Sequence, residues 1–227
     1  MNSNKELIQK SEAFLKDKFN NQQYFIDHPS DGEYRLQHSY RVANIGKMIA
    51  EKEGFNVTEM VIACLFHDIG YSEDFKSDDD WINHGRKSAK IARPFLLSLG
   101  LPNDRVEDIC YGIAIHVDDK ADFEGKRTPF AETISDADNI DRFDAYRIYE
   151  TLQYNKFSQM TFDEKQDNVN SMLDKLNKYS QMQLATKTAS KIWKQRIDFY
   201  ILFYQKLRQQ LENSTSIVSL PGTDIEF

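Results

Sequence analysis

The sequence predicts an all-α protein, and three observations carry that expectation. Apolar residues recur at spacings of three and four along most of the chain, the period of a helix with one buried face. The nine Gly and five Pro are few and fall mostly between those periodic segments. No apolar–polar alternation is long enough to build a sheet, and no internal repeat or low-complexity tract breaks the pattern. With 227 residues, 40% hydrophobic and 29% charged, the chain suits one soluble domain with a fair-sized core.

Taken in order, residues 4–19 read as an amphipathic helix with Leu7, Phe14, Leu15 and Phe19 on its apolar side. A polar, turn-rich connection ends in Asp27-His28-Pro29-Ser30-Asp31-Gly32. A helix over about residues 34–53 stops at Gly54, a residue suited to a left-handed cap, and its buried line is His38, Val42, Ile45 and Ile49. Asn56-Val57-Thr58-Glu59 resembles a capping box with Asn as the cap, and it opens a central helix expected to run through Gly70. Residues 71–80 form an acidic loop suited to a lid or rim. The next helix, about 83–99, carries His84, Ser88, Ile91 and Phe95 on one line and ends at Gly100. Pro102-Asn103 opens another, in which Val106, Ile109, Ile113 and His116 share a face. After a charged loop over 118–129 comes the stretch 130–141, with Asp136 in line with Thr133 and Ile140. Thr161-Phe162-Asp163-Glu164 caps a helix through about residue 179, and a long amphipathic helix covers roughly 184–211. The last 15 residues read as a loose tail.

Composition excludes several classes of function. A net charge of -7 argues against bulk nucleic-acid binding, though a local basic pocket is allowed. Cys64 and Cys110 lie within apolar runs and suggest neither a disulfide framework nor a metal knuckle. No apolar run approaches a membrane span, and the polar N-terminus lacks a signal-peptide core. A reducing, cytoplasmic compartment is expected.

The chemistry is expected at Cys64-Leu65-Phe66-His67-Asp68-Ile69-Gly70, where an apolar run ends in adjacent His and Asp. In a helix, His67 continues the stripe of Met60 and Cys64, and Asp68 that of Val61 and Leu65. Burying an imidazole and a carboxylate together is costly unless they pair or coordinate a metal. Four of the five His, namely His38, His67, His84 and His116, fall on the core faces of four helices. Singly, each is explained by core packing or a helix end; together, four buried imidazoles each need a partner. With Asp68 and Asp136 they make six N and O donors without a thiolate, a set that suits Mn, Fe, Co or Mg better than a structural zinc site. Six donors also match two adjacent octahedral metals sharing one bridging carboxylate, an arrangement able to clamp the oxygens of a displacement at phosphorus.

His38, then His67-Asp68 after 28 intervening residues, then Asp136, resembles the H…HD…D pattern of the HD-domain metal-dependent phosphohydrolase superfamily. The likeness extends to the flanks, His38-Ser39-Tyr40-Arg41-Val42-Ala43, Leu65-Phe66-His67-Asp68-Ile69-Gly70 and Ser135-Asp136-Ala137-Asp138-Asn139-Ile140-Asp141, and covers about residues 34–147. The resemblance implies an all-α HD-domain helical bundle over residues 1–212, with its core at about 34–147 and a helical extension at about 148–212, followed by the tail at 213–227. It implies that His38, His67, Asp68 and Asp136 bind a first divalent metal ion. His84 and His116 occupy the places that complete a second site, with Asp68 bridging; in mononuclear members these positions face substrate phosphate. Asp138 and Asp141 are rivals of Asp136 for the last ligand.

The implied activity is cleavage of a phosphate ester or anhydride, of a nucleotide or similar small phosphorylated metabolite, by metal-activated water. Asp68, His67 and Glu73 are the catalytic candidates, with Asp74 beside them. Arg41, Arg86, Lys87, Arg142 and Arg147 are candidates for substrate phosphate, and Phe66, Tyr71, Tyr111, Phe143 and Tyr146 are available to hold a base. Tyr71 stands where cyclic-dinucleotide phosphodiesterases of the superfamily carry Lys, and no Gly-Tyr-Pro follows, which argues against that subgroup. A di-iron oxygenase on the same ligands and a non-catalytic nucleotide-binding sensor are the alternatives. The chain is expected as a monomer or homodimer.

Overall fold

The computed structural model describes residues 3–215, and among them every regular element is helical. The helices are α1 (Asn4–Asn20), α2 (Gln23–Asp27), α3 (Pro29–Glu53), α4 (Val57–Phe66), α5 (Asp78–Ser98), α6 (Asn103–Ile115), α7 (Pro129–Asp141), α8 (Ala145–Tyr154), α9 (Phe162–Tyr179) and α10 (Lys187–Glu212), with 3-10 turns at Ile69–Ser72 and Phe157–Gln159. The expected tail lies, from residue 216, outside the described residues. No helix among them is long and apolar enough to cross a membrane.

The chain divides into two compact units. One comprises the chain through Asp141 together with Leu184–Ser190; the other comprises Arg142–Gln183 and the chain from Lys191 on. In the first unit α4 is the central element. It is buried at each residue from Thr58 to Phe66, and α3, α1 and α6 pack around it. Each fully buried Leu, Ile or Phe of this kind stabilises the fold by about 1.5–3 kcal/mol. Phe14, Phe66 and Phe95 tie α1, α4 and α5 together, with the Phe14 and Phe95 rings stacked at 4.0 Å. In turn α3 packs on α7, α5 on α6, and α6 on α7.

Helix ends differ from the sequence reading for identifiable reasons. Helix α3 starts at Pro29, whose missing N–H costs nothing at a first helical position. Helix α4 stops at Phe66 and passes into the 3-10 turn, because Asp68 sits outside helical geometry (φ -105°, ψ 10°) and its carbonyl accepts from the Tyr71 N–H. Helix α5 starts at Asp78, five residues early, because the Asp80 carboxylate accepts the main-chain N–H groups of Lys76 and Ser77. The short α2 and α8 lack the long periodic pattern from which sequence reading works.

Asp136, on α7, lies outside the cluster described below. Its Oδ2 accepts the Ala185 N–H at 2.8 Å, while Glu53 at the end of α3 accepts the Thr188 N–H at 2.8 Å, so two carboxylates hold the Leu184–Ser190 segment in the first unit. In the second unit, Phe143 makes edge contacts with Trp193, Tyr200 and Tyr179, and the Trp193 indole donates to the Tyr179 carbonyl at 2.9 Å.

The α3–α4 contact depends on Gly46, where a Cβ would stand 2.5 Å from Cys64 Sγ. Alanine there gains about 1 kcal/mol of helix propensity but collides with a fully buried side chain, which costs about 1–3 kcal/mol. Gly46→Ala is therefore expected to lower the denaturant midpoint, and in a Cys64→Ala background the same substitution should raise it. A neutral or stabilising single variant would contradict this packing.

Candidate metal centre

The end of α4 brings His67 and Asp68 to the middle of the first unit, and α3, α5, α6 and α7 deliver the other donors. Three overlapping groups each have ligand atoms within 4.8 Å of one another: His38, His67 and Asp68; His67, His116 and Asp138; and Asp68, His84 and His116. Asp68 divides its oxygens between two pairs of imidazoles. Its Oδ2 lies 3.6 Å from both His38 Nε2 and His67 Nε2, and its Oδ1 lies 3.1 Å from His84 Nε2 and 3.6 Å from His116 Nε2.

The second ring nitrogens show what these imidazoles are prepared for. His67, His84 and His116 turn Nδ1 toward the main-chain carbonyl three residues earlier, Cys64 at 2.7 Å, Trp81 at 2.5 Å and Ile113 at 2.7 Å. Each Nδ1–H donates to a carbonyl, which leaves a lone pair on Nε2 in the neutral ring. The Nε2 atoms of His84 and His116 face each other at 3.2 Å, both beside Asp68 Oδ1, so a cation placed there would be shared by two imidazoles and a carboxylate. His38 follows the same logic through a carboxylate: its Nδ1–H donates to Asp141 at 2.8 Å, and Asp141 is held in turn by Arg41 at 2.9 and 3.1 Å. A set of imidazoles and carboxylates without thiolate, oriented in this way from behind, fits a divalent metal ion.

Proton positions follow from the same geometry. Burial alone would lower the His38 imidazole, but Asp138 at 3.1 Å from its Nε2, Asp141 at its Nδ1 and the charge of Asp68 raise it to about 9. Burial pushes His67 down to about 4, so it stands neutral. Burial would raise Asp68, but the surrounding imidazoles hold it well below the usual carboxylate range. A metal entering beside His38 must displace a proton, so binding weakens in acid.

The structure brings His38, His67, Asp68, His84 and His116 together, and Asp138, not Asp136, lies beside them. Residues two apart on a helix point to nearly opposite faces. Asp138 shares its face with Asp141, three residues on, while Asp136 turns toward Ala185. Arg41 is committed to Asp141 and so supports His38 from behind. Arg86 is engaged by Asp118 and Asn83, and Lys87 by Asp80, and neither is among the described residues lining the cavity beside the cluster. Arg142 and Arg147 belong to the second unit.

That cavity, about 530 Å³, is bounded by α2, α3 and the segment after the His-Asp pair, and Tyr34, Tyr71, Phe75, Trp81 and Glu73 are among its walls. Glu73 and Asp74 are exposed and line it without joining the ligand cluster. Of the expected aromatic residues in this unit, Tyr71 lines it, whereas Phe66 is core and Tyr111 packs against Phe123. Sequence reading missed Arg35. It lines the same cavity, donates Nη1–H to Asp68 Oδ2 at 3.1 Å and lies 3.7 Å above the Tyr71 ring. The signal was its place one helical turn before His38. Gly85 makes the α5–α6 side of the centre possible, since a Cβ there would stand 2.7 Å from the Ala114 carbonyl and 3.0 Å from His116 Nδ1.

Residues 35–142 match the family model of the HD domain. Over these residues the chain is similar to the HD domain. No curated protein matches it significantly by sequence. Among solved structures, it resembles a predicted HD superfamily hydrolase from an uncultured Thermotogales bacterium, with 19% identity, 89% of this chain and 91% of that one covered, and a TM-score of 0.62. It also resembles Bacillus subtilis YpgQ in complex with ADP (17% identity, 95% and 99% covered, TM-score 0.61). The Lin1889 protein of Listeria innocua is a third (20% identity, 93% and 98% covered, TM-score 0.61). At these identities the likeness is one of fold.

Two substitutions separate the neighbouring carboxylates. Asp138→Asn is expected to lower bound Mn by elemental analysis after dialysis, and Asp136→Asn to retain it. Burial and the charge of Glu132 raise the Asp136 carboxyl to about 6 against the Ala185 hydrogen bond. A folded-state pKa above the unfolded one stabilises the protein in acid, and that contribution is lost as pH rises through about 6. The melting temperature of metal-free wild type relative to Asp136→Asn should therefore fall between pH 5 and pH 7. Loss of Mn in Asp136→Asn with retention in Asp138→Asn would reverse the assignment.

Proposed function

We propose that this protein is a metal-dependent phosphohydrolase, cleaving a phosphate ester or anhydride bond of a nucleotide or similar small phosphorylated metabolite. The observation that carries this reading is the division of Asp68 between two imidazole pairs, with Arg35 bonded to it and lining the neighbouring cavity. His38, His67, Asp68 and Asp138 would hold one divalent ion, and Asp68, His84 and His116 a second, with Mn, Fe, Co or Mg suited to such donors. Bound there, the ions supply charge for phosphoryl oxygens and acidify water.

The chain's own residues do the rest. Arg35, pinned between Asp68 and the Tyr71 ring, offers a guanidinium where a phosphate approaching from the cavity must pass, and its planar fork matches two phosphate oxygens. The carbonyls behind His67, His84 and His116 keep the rings from turning, so no reorientation is needed when charge develops. His84 is the most exposed of the four, its side chain 12% accessible, and marks the open side of the centre. The YpgQ structure with ADP supports a nucleotide as the class of ligand.

The test is phosphate and pyrophosphate release from nucleoside mono-, di- and triphosphates and simple phosphate esters, after reloading metal-free protein with Mn, Co, Mg or Fe. Release is expected with at least one metal, and Asp68→Ala should abolish it. Arg35→Ala should raise KM and lower kcat/KM about tenfold or more, as expected for loss of a charged hydrogen bond to substrate. Silence across the panel with metal still bound would contradict the hydrolase.

A further inference from the structure

We propose that the 530 Å³ cavity beside the metal centre is a base pocket selective for guanine nucleotides, with Glu73 as the residue that reads the base. The inference rests on the hydrolase reading only for where the phosphates lie, which is at Arg35. Size comes first. A simple phosphate ester fills a fraction of such a cavity, whereas a nucleoside is of its scale.

The walls specify a flat group. Tyr71, Phe75 and Trp81 pack on one another with centroids 4.8–5.6 Å apart, and Tyr24 and Tyr34 line the cavity from α2 and α3. Aromatic walls bind either a cation or a planar ring. Here the protein already places its own cations over two of the rings, Arg35 over Tyr71 at 3.7 Å and Lys87 over Phe75 at 5.0 Å. Those two faces are thus already taken by the protein's own cations, and stacking of a planar ring is the interaction left for the ring surface that remains.

The polar groups specify which ring. Three carboxylates line the cavity together with the cationic Arg35 and Lys76, and ionised carboxylates only accept. Asp31 accepts from the Tyr24 hydroxyl at 2.7 Å and Asp74 from Gln22 Nε2 at 3.3 Å. Glu73 shows no side-chain hydrogen bond or ion pair among the described residues. Two oxygens side by side call for two N–H donors side by side. Guanine alone of the common bases has them, at N1 and the 2-amino group. Adenine and cytosine place a donor beside an acceptor, and uracil and hypoxanthine offer a single ring N–H between or beside acceptors.

GTP and ITP differ only in the 2-amino group, so they isolate this contact. Quenching of tryptophan fluorescence on rapid mixing with the metal-loaded chain gives both affinities before turnover, and loss of the quench in Trp81→Ala assigns it to the cavity. GTP should bind about tenfold or more tightly than ITP, the discrimination of a good bidentate pair. Glu73→Gln, whose amide presents one acceptor and one donor, should close that gap; circular dichroism and melting temperature verify that this exposed substitution leaves the fold intact. Equal affinities in wild type, or a gap that Glu73→Gln leaves unchanged, would overturn the base pocket. Hydrolysis of inorganic tripolyphosphate is measured alongside. If it proceeds while GTP and ITP bind alike, the base pocket fails and the hydrolase stands. If no compound is hydrolysed yet the gap exists and closes in Glu73→Gln, the pocket stands and the hydrolase fails.

Discussion

One carboxylate determines the arrangement of the first unit. Asp68 lies 3% exposed with an oxygen toward each of two imidazole pairs, and every other feature of the centre serves to keep it ionised there. A buried carboxylate without compensation would take up a proton. Four imidazoles and Arg35 hold it charged instead, and the helices that deliver those groups must converge within a few ångströms of the end of α4. The helix stops at Phe66 for the same reason. Continuing it would carry the carboxylate around the axis, whereas the break into a 3-10 turn fixes it between α3 and α5.

Cost and compensation extend outward from that point. His67 is fully buried and neutral, with one nitrogen on a carbonyl and the other facing the cluster. His38 is held from behind by Asp141, which is itself held by Arg41, so a chain of charge runs from the surface to the ligand. The close approach at Gly85 sets His84 against His116. These supports are structural in that they fix geometry, and functional in that ring nitrogens facing one another beside a carboxylate define where a cation belongs.

Much of this was legible in sequence. Four His on the core faces of four periodic segments could not all be ordinary core residues, and the His67-Asp68 pair at the end of the most apolar helix marked the centre. What was not legible depended on three-dimensional neighbours. Asp136 and Asp138 both fall within the stretch 130–141, and the resemblance points to Asp136, which also lines up with Thr133 and Ile140. It is indeed buried, but against Ala185, from a segment nearly fifty residues away. The i,i+3 pairing of Asp138 with Asp141 was the usable signal for a ligand and the group that orients its neighbour. Arg41 was a candidate for phosphate because sequence cannot show that Asp141, a hundred residues on, has already engaged it. Arg35 is not legible because sequence cannot show that Asp68 and the Tyr71 ring, more than thirty residues on, hold it at the centre.

The central claim is that Asp68 is shared between two metal positions, with Asp138 completing the first. Crystals grown with Mn and measured near its absorption edge test it most directly through the anomalous difference map. The account predicts two peaks flanking Asp68, one among His38, His67 and Asp138, the other beside His84 and His116. A single peak away from Asp68, or one bound by Asp136, would contradict it.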